Sequence, residues 1–336
     1  MRQGSIVHKT LEDQVHTMVE VEVLTKEDAW GLRIWNIIQG LKTLRDTGMT
    51  REIEVWGVVD GLVVNGVLDE LSYICPDREL EKATAKSNKD TPSADQTSIT
   101  NFLDQDSGVI KNLRDIIEKT SRIYLTDVKT RGAKSIPKGA SFRPTLMQLM
   151  LYHRLLSDLA TNKVDSSIIF NRYDLDPAAP FSDSFIAQIR NLNEVFVDAS
   201  TDPKQDPDIP SPAQDSMQIL LEHNSLQSLW SLMILEFKRT MPAGVKSIGN
   251  VLKAEYRGQV DGAILGIKTF LYDNKVMQTY LDDEMRWWKG EREAQGVCME
   301  EAYKCGFCEF ADECSWRKDR IEEATVAHRA RTRSVV

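Results

Sequence analysis

Two acidic residues and a lysine, on two short segments rich in aliphatic residues, have the types and spacing of a metal-dependent phosphodiesterase. Asp69 lies in GVLDEL, and Asp127 and Lys129 lie in YLTDVKT. Residues two apart on a strand project from the same face, so the side chains of Asp127 and Lys129 would point to one side. Two carboxylates and a backbone carbonyl form an oxygen site that suits Mg²⁺ or Mn²⁺, which acidifies a bound water. The lysine would orient that water or stabilise the charge that develops on the phosphate.

Taken alone, an Asp-x-Lys triplet is most often an exposed ion pair at a strand edge. Three further polar residues strengthen its interpretation as part of a metal site. His8 lies upstream on a predicted helix. Gln148 and Tyr152 are four residues apart on the helix predicted to follow the Asp-x-Lys strand, so they share one helix face. A helix in that position would aim this face at the active end of the strand.

Two other carboxylates compete for the same role. Asp60 in GVVDG imitates the setting of Asp69 one hairpin earlier, and we treat it as a decoy. Glu70 follows Asp69 directly, and strand alternation predicts that it points to the opposite face.

The predicted elements that position these residues begin with a helix at 6–17 and a strand at 19–24. A long helix follows, with Thr25 as its N-cap and Gly48 as its stop. Residues 51–74 are rich in Val and Ile, which predicts a meander of strands with turns at Asp60-Gly61 and Asn65-Gly66. Further on, the patterns predict a strand at 122–130, a helix at 142–160 with Pro144 near its first turn, a helix at 216–239, strands at 251–258 and 262–273, and a helix at 274–294.

Polar stretches divide the chain into regions. We predict a nuclease core at 1–197 with a flexible insertion near 77–107, and a linker at 198–215. The remainder of the core and a DNA channel would occupy 216–297. A cysteine cluster at 298–320 and a basic tail at 321–336 would complete the chain.

Composition limits the class of protein. The chain has 336 residues, 41% hydrophobic and 28% charged, which is enough for one large or two modest cores. It has no apolar run of about 18 residues and no apolar centre of a signal peptide, so we expect neither membrane association nor secretion. The net charge of −9 argues against a protein that coats nucleic acid with its whole surface, although a local basic channel stays compatible with it.

Three of the five cysteines form a compact motif near the C-terminus. Cys305, Cys308 and Cys314 have the spacing C-x2-C-x5-C, which lets three thiolates converge on one metal centre. Thiolate chemistry alone accepts zinc and iron–sulfur clusters equally.

Taken in order, these motifs resemble the RecB-type branch of the PD-(D/E)XK nucleases, and within it the exonuclease V family. The resemblance runs from His8 to Trp316, apart from the two polar stretches. It rests on the segments GVLDELSYI, YLTDVKTR, RPTLMQLMLYHRLL, WWKGERE and KCGFCEFADECSWR.

The resemblance implies a restriction-endonuclease-like α/β fold, with a central mixed sheet flanked by helices and a C-terminal iron–sulfur subdomain. It implies that His8, Asp69 and Asp127 bind Mg²⁺ or Mn²⁺ and that Lys129 is the catalytic lysine. Gln148 and Tyr152 would contact the DNA or support the site.

The implied activity is a metal-dependent exonuclease on single-stranded DNA, with 5′ polarity favoured, in the maintenance or repair of mitochondrial or, alternatively, nuclear DNA. A monomer is expected, with a single-strand-binding protein as a further partner. A catalytically impaired DNA-binding remnant and a zinc-stapled interaction module stay open as alternatives.

The resemblance also implies a [4Fe–4S] cluster on Cys305, Cys308 and Cys314, with a fourth cysteine upstream of His8. No cysteine precedes His8 in this sequence. The chain could be incomplete at its N-terminus, Cys298 could be the fourth ligand, or the site could bind zinc or be empty.

Basic and aromatic residues suggest a path for the DNA. Arg131 and Lys134 follow the catalytic lysine, and Lys138 and Arg143 precede the helix of Gln148. Two aromatic–cationic pairs, Tyr256-Arg257 and Trp287-Trp288-Lys289, have the composition of stacking sites for single strands, although a tryptophan pair on an amphipathic helix is more often part of a core.

Overall fold

A computed structural model describes residues 23–87, 122–189 and 212–333. His8, the predicted helix at 6–17, most of the predicted strand at 19–24 and most of the predicted linker lie outside the described residues. No helix within these ranges is long and apolar enough to cross a membrane.

The first helix, α1, spans Lys26–Thr47, and both of its predicted ends are confirmed. The Thr25 hydroxyl accepts a hydrogen bond from the N–H of Asp28, and the Asp28 carboxylate accepts one from the N–H of Thr25, which is a capping box. Gly48 ends the helix with φ 85°, a left-handed conformation that glycine adopts without strain.

Within the described residues, five strands form one mixed sheet in the order β1-β2-β3-β4-β5. They span Met49–Val59, Leu62–Ser72, Tyr124–Arg131, Val251–Gly258 and Ile264–Leu271. Strands β3 and β4 are parallel, and the other three neighbouring pairs are antiparallel. The predicted mixed sheet is therefore confirmed.

One turn joins β1 to β2, where two had been expected. Asp60 and Gly61 form it with φ 51° and 82°, as a tight hairpin requires. The predicted turn at Asn65-Gly66 is wrong, because both residues continue the ladder with β1. Gly66 has another role: a Cβ there would lie 2.3 Å from the ring of Tyr152, so only glycine admits that ring.

The first part of the predicted flexible insertion is helical. Helix α2 spans Arg78–Ser87, and the Asp77 carboxylate caps it by accepting the N–H of Leu80 at 3.0 Å. Glu81 of α2 accepts hydrogen bonds from Tyr124 and Arg122, which anchor the helix to the start of β3. Residues 88–121 lie outside the described part of the chain.

Several helices lie between β3 and β4 in the described part of the chain. They are α3 (Arg143–Ala160), α4 (Ser166–Arg172), α5 (Pro212–Glu222) and α6 (Leu226–Thr240), and residues 183–189 are also helical. The single helix predicted for 216–239 is wrong. The chain leaves the helical path after Glu222, and Ser225 then caps α6 by accepting the N–H of Ser228. Helix α5 also begins inside the predicted linker.

The C-terminal part is helical. Helix α7 spans Asn274–Trp288, which is shorter than predicted, and Gly290 follows it with φ 72°. A 3₁₀ helix covers Met299–Phe307, and α8 spans Ser315–Arg333. The described residues of the predicted basic tail thus belong to a helix.

The chain forms two compact units. The first holds the sheet, α1 and most of the helices between β3 and β4; its residues run to Ile136 and from Gln148 to Asp273. Its core includes Trp30, Trp35 and Trp230, which are buried. The second unit combines Pro137–Met147 with the chain from Asn274 onward and contains the cysteine motif.

Candidate active site

The site forms where β2 and β3 separate. Their backbone ladder runs from Ser72↔Tyr124 to Glu70↔Thr126 and stops there. Asp69 is the next residue of β2, and its Oδ2 accepts a hydrogen bond from the N–H of Val128 at 2.5 Å. The side chain of Asp69 therefore crosses to β3 and lies against the residue between Asp127 and Lys129.

Asp127 and Lys129 form an ion pair along β3. The amine of Lys129 lies 3.0 Å from Oδ1 of Asp127, and the Asp127 side chain is 2% exposed. A buried carboxylate needs a counter-charge, because its desolvation costs several kcal/mol of free energy. Lys129 supplies that charge and is itself about one-third exposed, so its amine can also reach a ligand. The structure thus brings Asp69, Asp127 and Lys129 together, as the sequence predicted.

Gln148 and Tyr152 form a hydrogen-bonded pair on α3. The Gln148 amide donates to the Tyr152 hydroxyl at 2.9 Å. The ring of Tyr152 packs on Gly66, three residues before Asp69 on β2. This contact fixes α3 against the strand that carries Asp69.

The competing carboxylates have other positions. Glu70 forms an ion pair with Arg51 of β1 at 2.7 Å, so its carboxylate is directed to β1 and away from Asp127. Asp60 lies in the hairpin turn, and Asp69 is seven residues from the start of β2, about 23 Å along the strand.

The donor set fits a hard divalent cation. Asp69 and Asp127 supply carboxylate oxygens on adjacent strands, and the backbone between Asp127 and Lys129 supplies a carbonyl. Within the described ranges, no three His, Cys, Asp or Glu side chains approach closely enough to hold a metal ion. His8, the third predicted ligand, lies outside those ranges.

One predicted stacking site needs correction. Tyr256 is 2% exposed on β4, so its ring is not available to a base. Arg257 pairs with Glu255 at 2.6 Å. Tyr256 is therefore not a DNA-stacking residue. Lys134 is exposed in the loop after β3, and Arg131 is half-buried at the end of that strand.

The tryptophan pair on α7 lies at the surface and not in a core. Trp287 is 45% exposed and Trp288 is 72% exposed. Arg292 lies over the ring of Trp287 at 5.5 Å. Both rings are thus accessible for stacking within the second unit.

Three cysteines of the second unit share one cavity. Cys305, Cys308 and Cys314 line a space of about 590 Å³, together with the rings of Trp287, Phe310 and Trp316. Within the described residues, however, no three cysteine side chains approach closely enough to hold a metal ion, so the predicted convergence of these thiols on one centre stays a prediction.

The two remaining cysteines have other surroundings. Cys298 is exposed and is not among the residues that line the cavity. A hydrogen bond to Glu300 raises the pKa of its thiol, which favours the protonated form over a metal-binding thiolate. Cys75 belongs to the first unit, where burial raises its pKa and its thiol contacts Glu81.

A known protein family matches this chain over most of its length. Residues 1–317 match the family model of exonuclease V, which is described as a 5′ deoxyribonuclease. The chain belongs to the exonuclease V family. The match spans both units and includes every residue of the candidate active site and of the cysteine motif.

Individual exonuclease V relatives are distant. Exonuclease V of Danio rerio is 23% identical over 97% of this chain and 64% of its own length. The mitochondrial exonuclease V of Eremothecium gossypii is 26% identical over 80% of this chain and 55% of its own length. That of Candida dubliniensis is 25% identical over 57% of this chain and 39% of its own length. The chain thus spans less than two thirds of the length of these relatives.

Proposed function

We propose that this chain is a metal-dependent exodeoxyribonuclease that degrades single-stranded DNA from a 5′ end. The observation that carries the proposal is the hydrogen bond from the N–H of Val128 to Asp69, because it holds the Asp69 carboxylate beside the Asp127–Lys129 pair. Two carboxylates and an amine at one point of a sheet are the groups that phosphodiester hydrolysis requires. Family membership supports DNA as the substrate and the 5′ end as the starting point.

Each residue has a separate task in this site. Asp69 and Asp127 would hold the cation through carboxylate oxygens, joined by His8 as the resemblance implies. When bound, a divalent cation acidifies a water and offsets charge on the phosphate. Lys129 is already fixed by Asp127, so its amine needs no reorganisation to stabilise the phosphate oxygens. In the hydrolysis, water oxygen bonds to phosphorus, the P–O bond to the departing fragment breaks, and that oxygen takes a proton.

The test compares end-labelled single-stranded and duplex DNA, with Mg²⁺ and with EDTA, for the parent and for Lys129→Ala. Removal of one preorganised electrostatic group costs about a hundred- to a thousandfold in kcat. Asp127→Ala should abolish cleavage and leave DNA binding nearly intact. A covalently closed single strand should resist the parent, since an exonuclease needs an end.

Lys253→Ala is the matched control. Lys253 lies on the neighbouring strand β4 opposite Thr126 and pairs with Glu255 at 2.8 Å. It should keep most of its activity at a temperature where it is folded. If Lys129→Ala retains parental activity, or if the parent cleaves equally in EDTA, the proposed site is wrong.

We further propose that Cys305, Cys308 and Cys314 bind an iron–sulfur cluster. The shared, mostly apolar cavity supports this, because such clusters are held by cysteine thiolates. A fourth ligand would come from outside this triplet, and Cys298 is disfavoured for that role because it is not among the residues that line the cavity.

Iron, zinc and acid-labile sulfide would be measured on protein purified without oxygen. Cys308→Ser should lose iron and stability, whereas Cys298→Ser should keep both. If the parent contains zinc and no iron, the cysteines bind zinc and the proposed iron–sulfur cluster is wrong.

We propose a mitochondrial location. Two fungal relatives carry that location in their names.

A further inference from the structure

A second feature of the C-terminal unit lies apart from the cysteine cavity. One face of α7 and the first turn of α3 line a cleft of about 650 Å³, which we call the α7 cleft. Lys275, Thr279 and Arg286 contribute to it from α7, and Arg143 contributes from α3. All of these residues belong to the second unit.

The cations of the cleft follow the helix axis. Lys275 and Thr279 are four residues apart and Arg286 follows seven residues later, which places all three on one face of α7. Lys275 and Arg286 are eleven residues apart, about 16 Å along the axis. Two positive groups at that separation can contact phosphates of different nucleotides in one strand.

Two acidic residues in the same wall already have partners. Asp283 forms an ion pair with Arg292 at 3.1 Å, and Asp282 accepts a hydrogen bond from the amide of Gln278 at 2.6 Å. Three cations and two carboxylates line the cleft, and the charge of Asp283 is offset by its ion pair with Arg292. The cleft is therefore locally positive in a chain whose net charge is −9.

The wall also offers a neutral donor with an aromatic ring. Tyr280 lines the cleft and is half-buried. Burial raises the pKa of its hydroxyl, so the group keeps its proton at neutral pH. Protonated tyrosine and arginine are common donors to phosphate and sugar oxygens.

We propose that the α7 cleft binds the sugar–phosphate backbone of single-stranded DNA, through Arg143, Lys275 and Arg286. That the bound strand is single-stranded DNA rests on the proposed function. That the ligand of the cleft is an extended polyanion rests on the spacing and the sign of the charges that line it. Charged contacts along one helix face read no bases, so binding in the cleft should be independent of sequence. The cleft would thus hold a strand whatever its composition.

The test is a binding titration in EDTA, so that no substrate is consumed. Fluorescence anisotropy of labelled oligothymidylate gives the dissociation constant at several salt concentrations. Each phosphate contact with a single strand contributes about 0.7 to the slope of log affinity against log salt, which is about fivefold at 0.1 M salt. Lys275→Ala combined with Arg286→Ala should therefore weaken binding about 25-fold and reduce the slope by about 1.4.

Thr279→Arg provides the opposite perturbation. Thr279 is exposed and lies between the two cations, so a third cation there should strengthen binding about fivefold and steepen the slope by about 0.7. Lys318→Ala is the matched control, because Lys318 is an exposed lysine of α8 in the same unit that is not among the cleft residues. It should leave the slope unchanged.

The outcomes separate the two proposals. If the double variant keeps the affinity and salt slope of the parent while the parent still degrades DNA, the proposal that the α7 cleft binds DNA is overturned. The proposed nuclease function then still holds. Loss of binding in the double variant, with no metal-dependent cleavage by the parent, would support the cleft and overturn the nuclease. Equal losses in the double variant and in Lys318→Ala would show a diffuse charge effect and would also overturn the cleft.

Discussion

His153 makes the stability of the first unit depend on pH. It lies on α3, is 1% exposed, and its ring stacks on Tyr272 at 4.0 Å. Burial lowers its pKa from 6.5 to about 4, partly offset by the nearby backbone of Gly249. The imidazole is therefore neutral in the folded protein at any pH at which the protein would be assayed.

The sign follows from the two protonation states. The unfolded chain binds a proton at His153 below about pH 6.5, whereas the folded chain binds it only below about pH 4. Stability is therefore lost as pH falls through this window and levels off below it. The full difference between the two pKa values corresponds to about 3 kcal/mol of stability. Between pH 7 and pH 5.5 the loss should be about 1 kcal/mol.

Urea unfolding at both pH values measures this loss, followed by the fluorescence of the buried tryptophans. His153→Phe keeps an aromatic ring against Tyr272 and removes the titration, so its loss of stability between the two pH values should be smaller than that of the parent by about 1 kcal/mol. His328→Gln, at an exposed position of α8, should behave like the parent. An identical pH dependence in the parent and in His153→Phe would refute the assignment.

Two further predictions concern packing. Glu236 is buried and binds Arg45 of α1 at 2.5 Å, so Glu236→Ala should reduce the free energy of unfolding by about 3 kcal/mol, measured by urea titration; a change below about 1 kcal/mol would contradict this. Gly66→Ala would place a Cβ 2.3 Å from the ring of Tyr152, and Gly57→Ala would make an equally close contact with a leucine of the same helix. Both should lose similar stability, but only Gly66→Ala should also lower kcat where both are folded; equal kcat values would remove Tyr152 from the site.

Local features of the fold could be predicted from the sequence because their causes are local. Thr25 and Gly48 define the ends of α1 through contacts within a few residues. Asp127 and Lys129 share a face of β3 by strand alternation alone. These expectations needed no knowledge of distant parts of the chain.

Other features depend on contacts between distant residues. Asn65-Gly66 has the composition of a turn, yet Gly66 is present because Tyr152, 86 residues later, packs on it. The burial of Tyr256 depends on packing against residues distant in the chain, which the pattern of β4 does not reveal. The closeness of Asp69 to Asp127 was an expectation from motif order, and its physical basis is the end of the β2–β3 ladder at Glu70.

The parallel pairing of β3 with β4 has a consequence for biosynthesis. Asp127 of β3 is paired with Ala254, 127 residues later, so β3 is synthesised long before its second neighbour exists. At about 5–20 residues per second, the strand waits roughly 6–25 s with one edge of its backbone unpaired. During that interval the catalytic strand is an open template for pairing with other chains. Slower translation between β3 and β4 should therefore increase aggregation of the nascent protein.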